Sequence, residues 1–184
     1  MLLGIDIGTS SCKTTLFDTS RGVVVGGSRR PLRFLSPAPD RAEIDAEELW
    51  QSVLTVLREL SLQYPEAANR VRAIGVSVFF PTLLPLGADG RPLRPALLYN
   101  DRRSQAEVDE FNASFGREAL AALTGNQLTP GTSVLPGILW LRRHEPEIVA
   151  RTHCFAQLGA YITQRLTGQC RLEPTHSSLS ALCA

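Results

Sequence analysis

The stretch from Leu2 to Asp18 constrains this chain most. Leu2, Leu3 and Ile5 begin an apolar run, Asp6 interrupts it, and Gly8-Thr9-Ser10-Ser11 supplies turn residues before Lys13 to Phe17 resume the strand pattern. The spacing predicts a strand, a tight polar turn and a second strand. A carboxylate at the end of a buried strand is costly unless it is paired, and a divalent metal would pair with it. Gly8 lets backbone approach a ligand, and the hydroxyls and N–H groups that follow can cradle phosphate oxygens. Lys13 adds a point charge to the same turn. Two readings stay open: a nucleotide phosphate–metal site, or an ordinary β-hairpin with a polar tip.

Composition narrows the partners. A chain of 184 residues with 43% hydrophobic and 20% charged residues suits one globular domain with a sizeable core. A net charge of +1 gives no global field for nucleic acid or an anionic membrane. No apolar run is long enough to span a bilayer, and the N-terminus reads as a strand rather than a secretory leader. Cys12, Cys154, Cys170 and Cys183 are scattered without metal-ligand spacing, which points to reduced thiols and a cytoplasmic protein. His144 stands alone and reads as a surface histidine, and His153 and His176 show no partner spacing and receive no metal role.

Further along, Val23 to Gly27 reads as a third strand, and Arg29, Arg30 and Arg33 as a solvated basic edge. Asp45 with Glu48 three residues on marks a helix start, and Leu49, Trp50, Val53, Leu54, Leu57 and Leu60 recur at helical spacing to form its core face. Strands are expected over 71–80, 83–86 and 94–99, with an Asp89-Gly90 turn between the last two. Helical spacing follows around Val108 to Phe115, then over 119–124 with Gly125 as its stop, and over 158–167.

Asp6-Ile-Gly-Thr-Ser-Ser-Cys-Lys13 resembles the first phosphate motif of the actin-like ATPase superfamily, in the D-x-G-T-S/T-S-x-K/R form of the FGGY carbohydrate kinases. It is not a Walker loop, since no G-x-x-x-x-G-K-S/T is present. Gly75-Val-Ser77, the Asp-Gly turn and Leu98-Tyr-Asn-Asp-Arg-Arg103 resemble the family's next conserved block. Ile138 to Pro146, around Trp140, resembles a helix of the family, and Arg165-Leu-Thr-Gly168 and Ser177-Ser178 resemble later segments. The resemblance is xylulokinase-like and runs through the whole chain.

The resemblance implies an α/β fold of the actin-like ATPase (ribonuclease H-like) type, a mixed sheet with antiparallel opening strands flanked by helices. It implies that residues 1–184 are an N-terminal domain and that a second, C-terminal lobe is absent from this chain. The implied reaction is ATP-dependent phosphorylation of a sugar or polyol hydroxyl, with a ketopentose such as xylulose as the expected acceptor. Asp6 would hold hydrated Mg²⁺, and Gly8, Thr9, Ser10, Ser11 and Lys13 the phosphates. Phe79, Phe80, Pro81, Thr82 and Tyr99 would shape the sugar pocket. Asp101 and Arg103 stand between two readings, substrate contact or an ion pair that fixes the strand exit. No general base is expected in this chain, since the family's base lies in the second lobe. The partner is a small sugar or polyol, and a homodimer is compatible with the resemblance. The chain also departs from the family: xylulokinases carry Met-His, and glycerol kinases Arg-Glu, where this chain has Phe80-Pro81. Those two side chains cannot hydrogen-bond a hydroxyl. The rival reading is therefore a catalytically inactive nucleotide-binding or regulatory module on the same fold.

Overall fold

The computed structural model describes residues 1–182. Cys183, one of the four scattered thiols, lies outside the described residues. In chain order the chain forms β1 (Leu2–Ile7), β2 (Ser11–Asp18), β3 (Val23–Pro31), β4 (Glu43–Ile44), α1 (Ala46–Gln63) and α2 (Pro65–Ala68). There follow β5 (Ala73–Val78), β6 (Thr82–Leu86), β7 (Ala96–Leu98), α3 (Gln105–Phe115) and α4 (Arg117–Thr124). Last come α5 (Val134–His144), α6 (Pro146–Arg151), β8 (Cys154–Ala156), α7 (Leu158–Thr167) and α8 (Pro174–Ser178). They fall into two compact units, one of Met1–Arg33 with Glu47–Phe79, the other of Phe34–Ala46 with the chain from Phe80 onward.

The first unit is a mixed sheet in the order β3-β2-β1-β5. β1 and β2 pair antiparallel, β2 and β3 pair antiparallel, and β1 and β5 run parallel. Alternation decides the faces. Leu3, Ile5, Ile7, Cys12 and Leu16 point to one side and are buried. α1 covers that side. Its Glu59 takes hydrogen bonds from Ser28 Oγ (2.6 Å) and Arg30 Nη2 (3.0 Å) on β3. A side chain at Gly26 would overlap the Tyr64 ring just past α1, so only glycine admits this approach. α1 itself is amphipathic, burying Leu49, Trp50, Val53, Val56 and Leu60. The opposite face carries Leu2, Gly4 and Asp6 of β1 beside Phe17, Thr15 and Lys13 of β2, all exposed. Among the described residues β5 pairs only with β1. Its apolar Ile74 and Val76 are 48% and 36% exposed.

The second unit is an antiparallel sheet in the order β4-β7-β6-β8. Every residue of β6 and β7 is buried, which fits their continuous apolar run. α5 packs directly on β6: a Cβ at Gly137 would stand 2.8 Å from a Leu83 methyl. Leu83, Leu97, Val134, Trp140 and Leu141 form the core there, and Val108, Leu120, Leu128 and Ala181 form a second cluster under α3 and α4.

Several boundaries shift from the sequence expectation. α5 begins at Val134 rather than 138 because Pro136 falls in the first helical turn, where a missing N–H costs no intrahelical bond. β4, with two residues, is too short for a periodic signal. The stops at Gly125 (φ 70°) and Gly168 (φ 78°) adopt the left-handed conformation expected of helix-ending glycines.

Candidate functional site

In the first unit, the β1–β2 turn is a two-residue hairpin. Gly8 N donates to Ser11 O (3.0 Å), leaving Thr9 and Ser10 at the tip, both exposed. Leu32 N donates to Ser10 O (3.0 Å), which fastens the tip to the end of β3. A Cβ at Gly8 would meet only Ser11 O, at an ordinary 3.7 Å. The chain's own packing therefore does not demand glycine there, and the space beside its backbone is left to an approaching group. Ser11 is buried and its Oγ has no hydrogen-bond partner.

The register places Asp6 directly opposite Lys13. Lys13 Nζ lies 3.4 Å from Asp6 Oδ2, with the two side chains 46% and 55% exposed. This corrects the sequence argument for Asp6. Its carboxylate is not a desolvated group at a buried strand end, because residue 6 alternates onto the open face while Ile5 and Ile7 take the core. Asp6, Lys13, Gly4, Thr15, Gly75 and Ser77 line an open depression of about 410 Å³ on that face. Gly4 and Gly75 lie side by side and leave its floor without side chains. Under the same turn Cys12 is fully buried; burial, and then the negative charge of Asp6, push its thiol up to about 11.

Among the described residues no group of three or more His, Cys, Asp or Glu side chains could hold a metal. Asp6 is a single half-exposed carboxylate, which fits the way Mg²⁺ is held through one or two carboxylates while keeping its waters and phosphate ligands.

In the second unit, the last β6–β7 pair is Thr82 with Leu98. Phe80-Pro81 and Tyr99-Asn100 therefore extend from the same end of that ladder. Phe80 and Tyr99 are 38% and 40% exposed, whereas Pro81 and Thr82 are buried. The peptide joining Phe80 to Pro81 is cis. Thr82 Oγ1 accepts from Leu158 N (2.9 Å) at the start of α7, so its hydroxyl is engaged inside the unit. Phe79 is half-buried, and its N–H continues the β1–β5 ladder by donating to Ile7 O (2.9 Å).

Asp101 and Arg103 form an ion pair below this surface. Arg103 Nε and Nη2 reach Asp101 Oδ1 and Oδ2, each at 2.8 Å, and Nη2 also reaches Glu43 Oε1 at 2.6 Å. Asp101 accepts further from Ala42 N (2.8 Å) and Arg103 N (3.1 Å). Burial alone would lower the guanidinium pKa; the bonds to Asp101 and Glu43 outweigh it and hold Arg103 above its ordinary value. Arg94 joins Glu43 to Glu145, completing a charged seam. Gly131 (φ 74°) packs so closely on the Tyr99 and Asp101 carbonyls that a Cβ there would overlap both.

His176, to which the sequence gives no role, stacks on Phe80 with ring centroids 4.1 Å apart. No local spacing could have revealed that contact. His144 stacks on Trp140 and lies 3.7 Å from Glu107, and His153 is exposed. A separate depression of about 370 Å³ between α3 and α5 contains none of the expected site residues, and its Arg143 is paired with Glu107 and Glu110.

A mixed sheet that opens with an antiparallel hairpin and is flanked by helices defines an α/β domain of the actin-like class. The chain belongs to the FGGY family of carbohydrate kinases: residues 1–183 match the model of that family's N-terminal domain. It is 32% identical over 177 residues to a xylulose kinase of Staphylococcus xylosus, covering 96% of this chain and 36% of that protein. It is 35% identical over 180 residues to the L-xylulose/3-keto-L-gulonate kinase of Escherichia coli, covering 98% and 36%. Its fold is similar to the crystal structure of xylulose kinase from Rhodospirillum rubrum, with a TM-score of 0.92, 31% identity, and 98% of this chain and 37% of that chain covered. The chain thus spans about a third of the length of the curated relatives it matches. Among the described residues no helix is long and apolar enough to cross a membrane.

Proposed function

We propose that this chain is the N-terminal, sugar-binding lobe of an ATP-dependent carbohydrate kinase, and that the acceptor is a ketopentose of the xylulose type. The observation that carries the reading is the Gly8–Ser11 turn with Asp6 and Lys13 opposite each other beside it. Turn amides and the Thr9 and Ser10 hydroxyls hold phosphate oxygens, and Lys13 adds positive charge to them. Asp6 holds a hydrated Mg²⁺, which neutralises phosphate charge when bound. Phosphoryl transfer depends mainly on such positioning and charge neutralisation.

Phe80 and Tyr99 supply the sugar surface, with the buried Pro81 and Thr82 supporting it in the same unit. Asp101 and Arg103 act as its frame, because both Asp101 oxygens are committed to Arg103 and to backbone N–H groups, and Arg103 Nη2 also holds Glu43. Asp101 is thereby excluded as a general base, since a base needs a free lone pair within reach of the acceptor hydroxyl. The base comes from a second lobe, as does most of the adenosine pocket. The xylulose assignment is supported by the names of the relatives. The experiment is a panel of D-xylulose, D-ribulose, glycerol and glucose with coupled ADP detection. It is run on this chain alone and on this chain fused to the remaining two-thirds of the S. xylosus relative. We expect no sugar-dependent ADP release from the chain alone and D-xylulose as the best acceptor for the fusion. Glucose as the best acceptor would refute the substrate assignment, and turnover by the chain alone would refute the two-lobe assignment.

A further inference from the structure

We infer that His176 is a specificity-determining residue whose imidazole hydrogen-bonds a hydroxyl of the sugar seated on Phe80 and Tyr99. The inference rests on the sugar surface proposed above and deepens it. Of residues 80 to 82 only Phe80 offers an exposed side chain, and it is apolar. Phe80 and buried Pro81 pack against carbon and cannot hydrogen-bond a hydroxyl, so on that side of the surface, away from the Tyr99 phenol, a hydroxyl needs another partner. The imidazole is the hydrogen-bonding ring that touches Phe80. The two rings stack at 4.1 Å with 27° between their planes. The His176 side chain keeps 17% of its surface exposed beside the exposed face of Phe80.

The backbone that carries the imidazole is anchored by hydrogen bonds. Gln157, buried at the N-terminal end of α7, donates from Nε2 to His176 O (3.1 Å). The next residue, Leu158, donates to Thr82 Oγ1, so one short path ties the backbone of His176 to the start of β6. Glu173 accepts from Thr175 N (2.8 Å) and His176 N (3.3 Å) and caps α8. Its Oε2 stands 3.8 Å from His176 Nε2, near the ring without a hydrogen bond to it. Gln157 Oε1 is buried without a hydrogen-bond partner, a second polar atom at the same place that the chain itself leaves unused. A neutral imidazole offers one donor and one acceptor, which suits a hydroxyl in either direction. A site that hydrogen-bonds a substrate hydroxyl discriminates far more strongly than an apolar pocket.

The test uses D-xylulose titrated into the labelled chain while the imidazole resonances of its three histidines are followed. The His176 signal should move saturably, and those of His144 and His153 should stay. His176→Ala should weaken D-xylulose binding about tenfold, in line with loss of one hydrogen bond. His176→Gln should recover affinity to within about threefold, a rescue that a purely structural role would not give. Discrimination between D-xylulose and xylitol should collapse in His176→Ala and return in His176→Gln. The wild-type titration stands even if His176→Ala fails to fold. Saturable shifts at Phe80 and Tyr99 with a stationary His176 signal, or an unchanged affinity in folded His176→Ala, would overturn this inference and leave the kinase reading intact. Absence of saturable shifts at Phe80, Tyr99 and His176 alike would refute the sugar surface itself, and the inference with it.

Discussion

Arg103 grips Asp101 through two parallel hydrogen bonds of 2.8 Å, with both side chains buried, and the same guanidinium holds Glu43. One side chain thus locks β4 to the exit of β7, from which Tyr99 projects. Removing one partner leaves a buried charge without compensation. Arg103→Leu should therefore destabilise the chain by about 3–5 kcal/mol. Urea unfolding checks this; a loss below about 1 kcal/mol would mean that the network relaxes or admits water.

The buried Cys12 should be inert in the folded chain. Its thiol is raised to about 11 by burial and then by Asp6, so little thiolate exists near neutral pH. Iodoacetamide at mild alkaline pH should label the exposed Cys170 while Cys12 stays unmodified until the protein is unfolded. Peptide mass spectrometry reads both sites. The sign for stability is also fixed. Between the ordinary value of 9.0 and about 11 the unfolded chain loses the Cys12 proton first, so stability should fall across that window and fall less in Cys12→Ala.

Glu59 gives the opposite pH dependence. The Ser28 hydroxyl, then Arg30, hold its carboxyl below the ordinary 4.5. The folded state therefore keeps the charge that the unfolded state gives up, and the contribution is present above 4.5 and disappears as pH falls through the lowered value. The melting temperatures of wild type and Glu59→Gln should differ near neutral pH and converge in acid.

Asp6→Asn should leave the fold intact, because the side chain is half exposed and its single ion-pair partner is an exposed lysine. In the two-lobe fusion it should remove most turnover, on the order of a hundredfold or more in kcat. Steady-state kinetics with a melting curve separates the two effects. Near-normal turnover in a well-folded variant would remove Asp6 from the metal role.

Much of the fold was legible because local rules agreed with tertiary structure. The hairpin, the α1 core face and the glycine stops at 125 and 168 all follow from spacing and turn chemistry. The face of Asp6 was not legible. Leu2 and Phe17 are apolar residues on the open side, so the strands read as buried on both faces until the register assigns Ile5 and Ile7 to the core. The same difficulty hides the exposure of β5, whose apolar run cannot reveal whether another element covers it. In the sugar region the sequence could group Phe80, Pro81, Thr82 and Tyr99. It could not tell which side chains emerge from the end of the ladder, because that depends on α7 capping Thr82. Asp101 and Arg103 sit two residues apart, yet their pairing is closed by Glu43 from a distant two-residue strand. His176 meets Phe80 through long-range anchors of α8 such as the bond from Gln157, a contact no local pattern encodes.

The central claim is that the Gly8–Ser11 turn with Asp6 and Lys13 binds nucleotide phosphates. The direct measurement is a titration of Mg-ATP into the labelled chain, followed by backbone amide resonances. Amides from Gly8 to Lys13 should shift saturably at millimolar nucleotide, the shifts should require Mg²⁺, and Asp6→Asn should weaken the Mg²⁺-dependent binding. Unmoved turn amides at saturating Mg-ATP, or saturable shifts confined to another surface, would contradict the account.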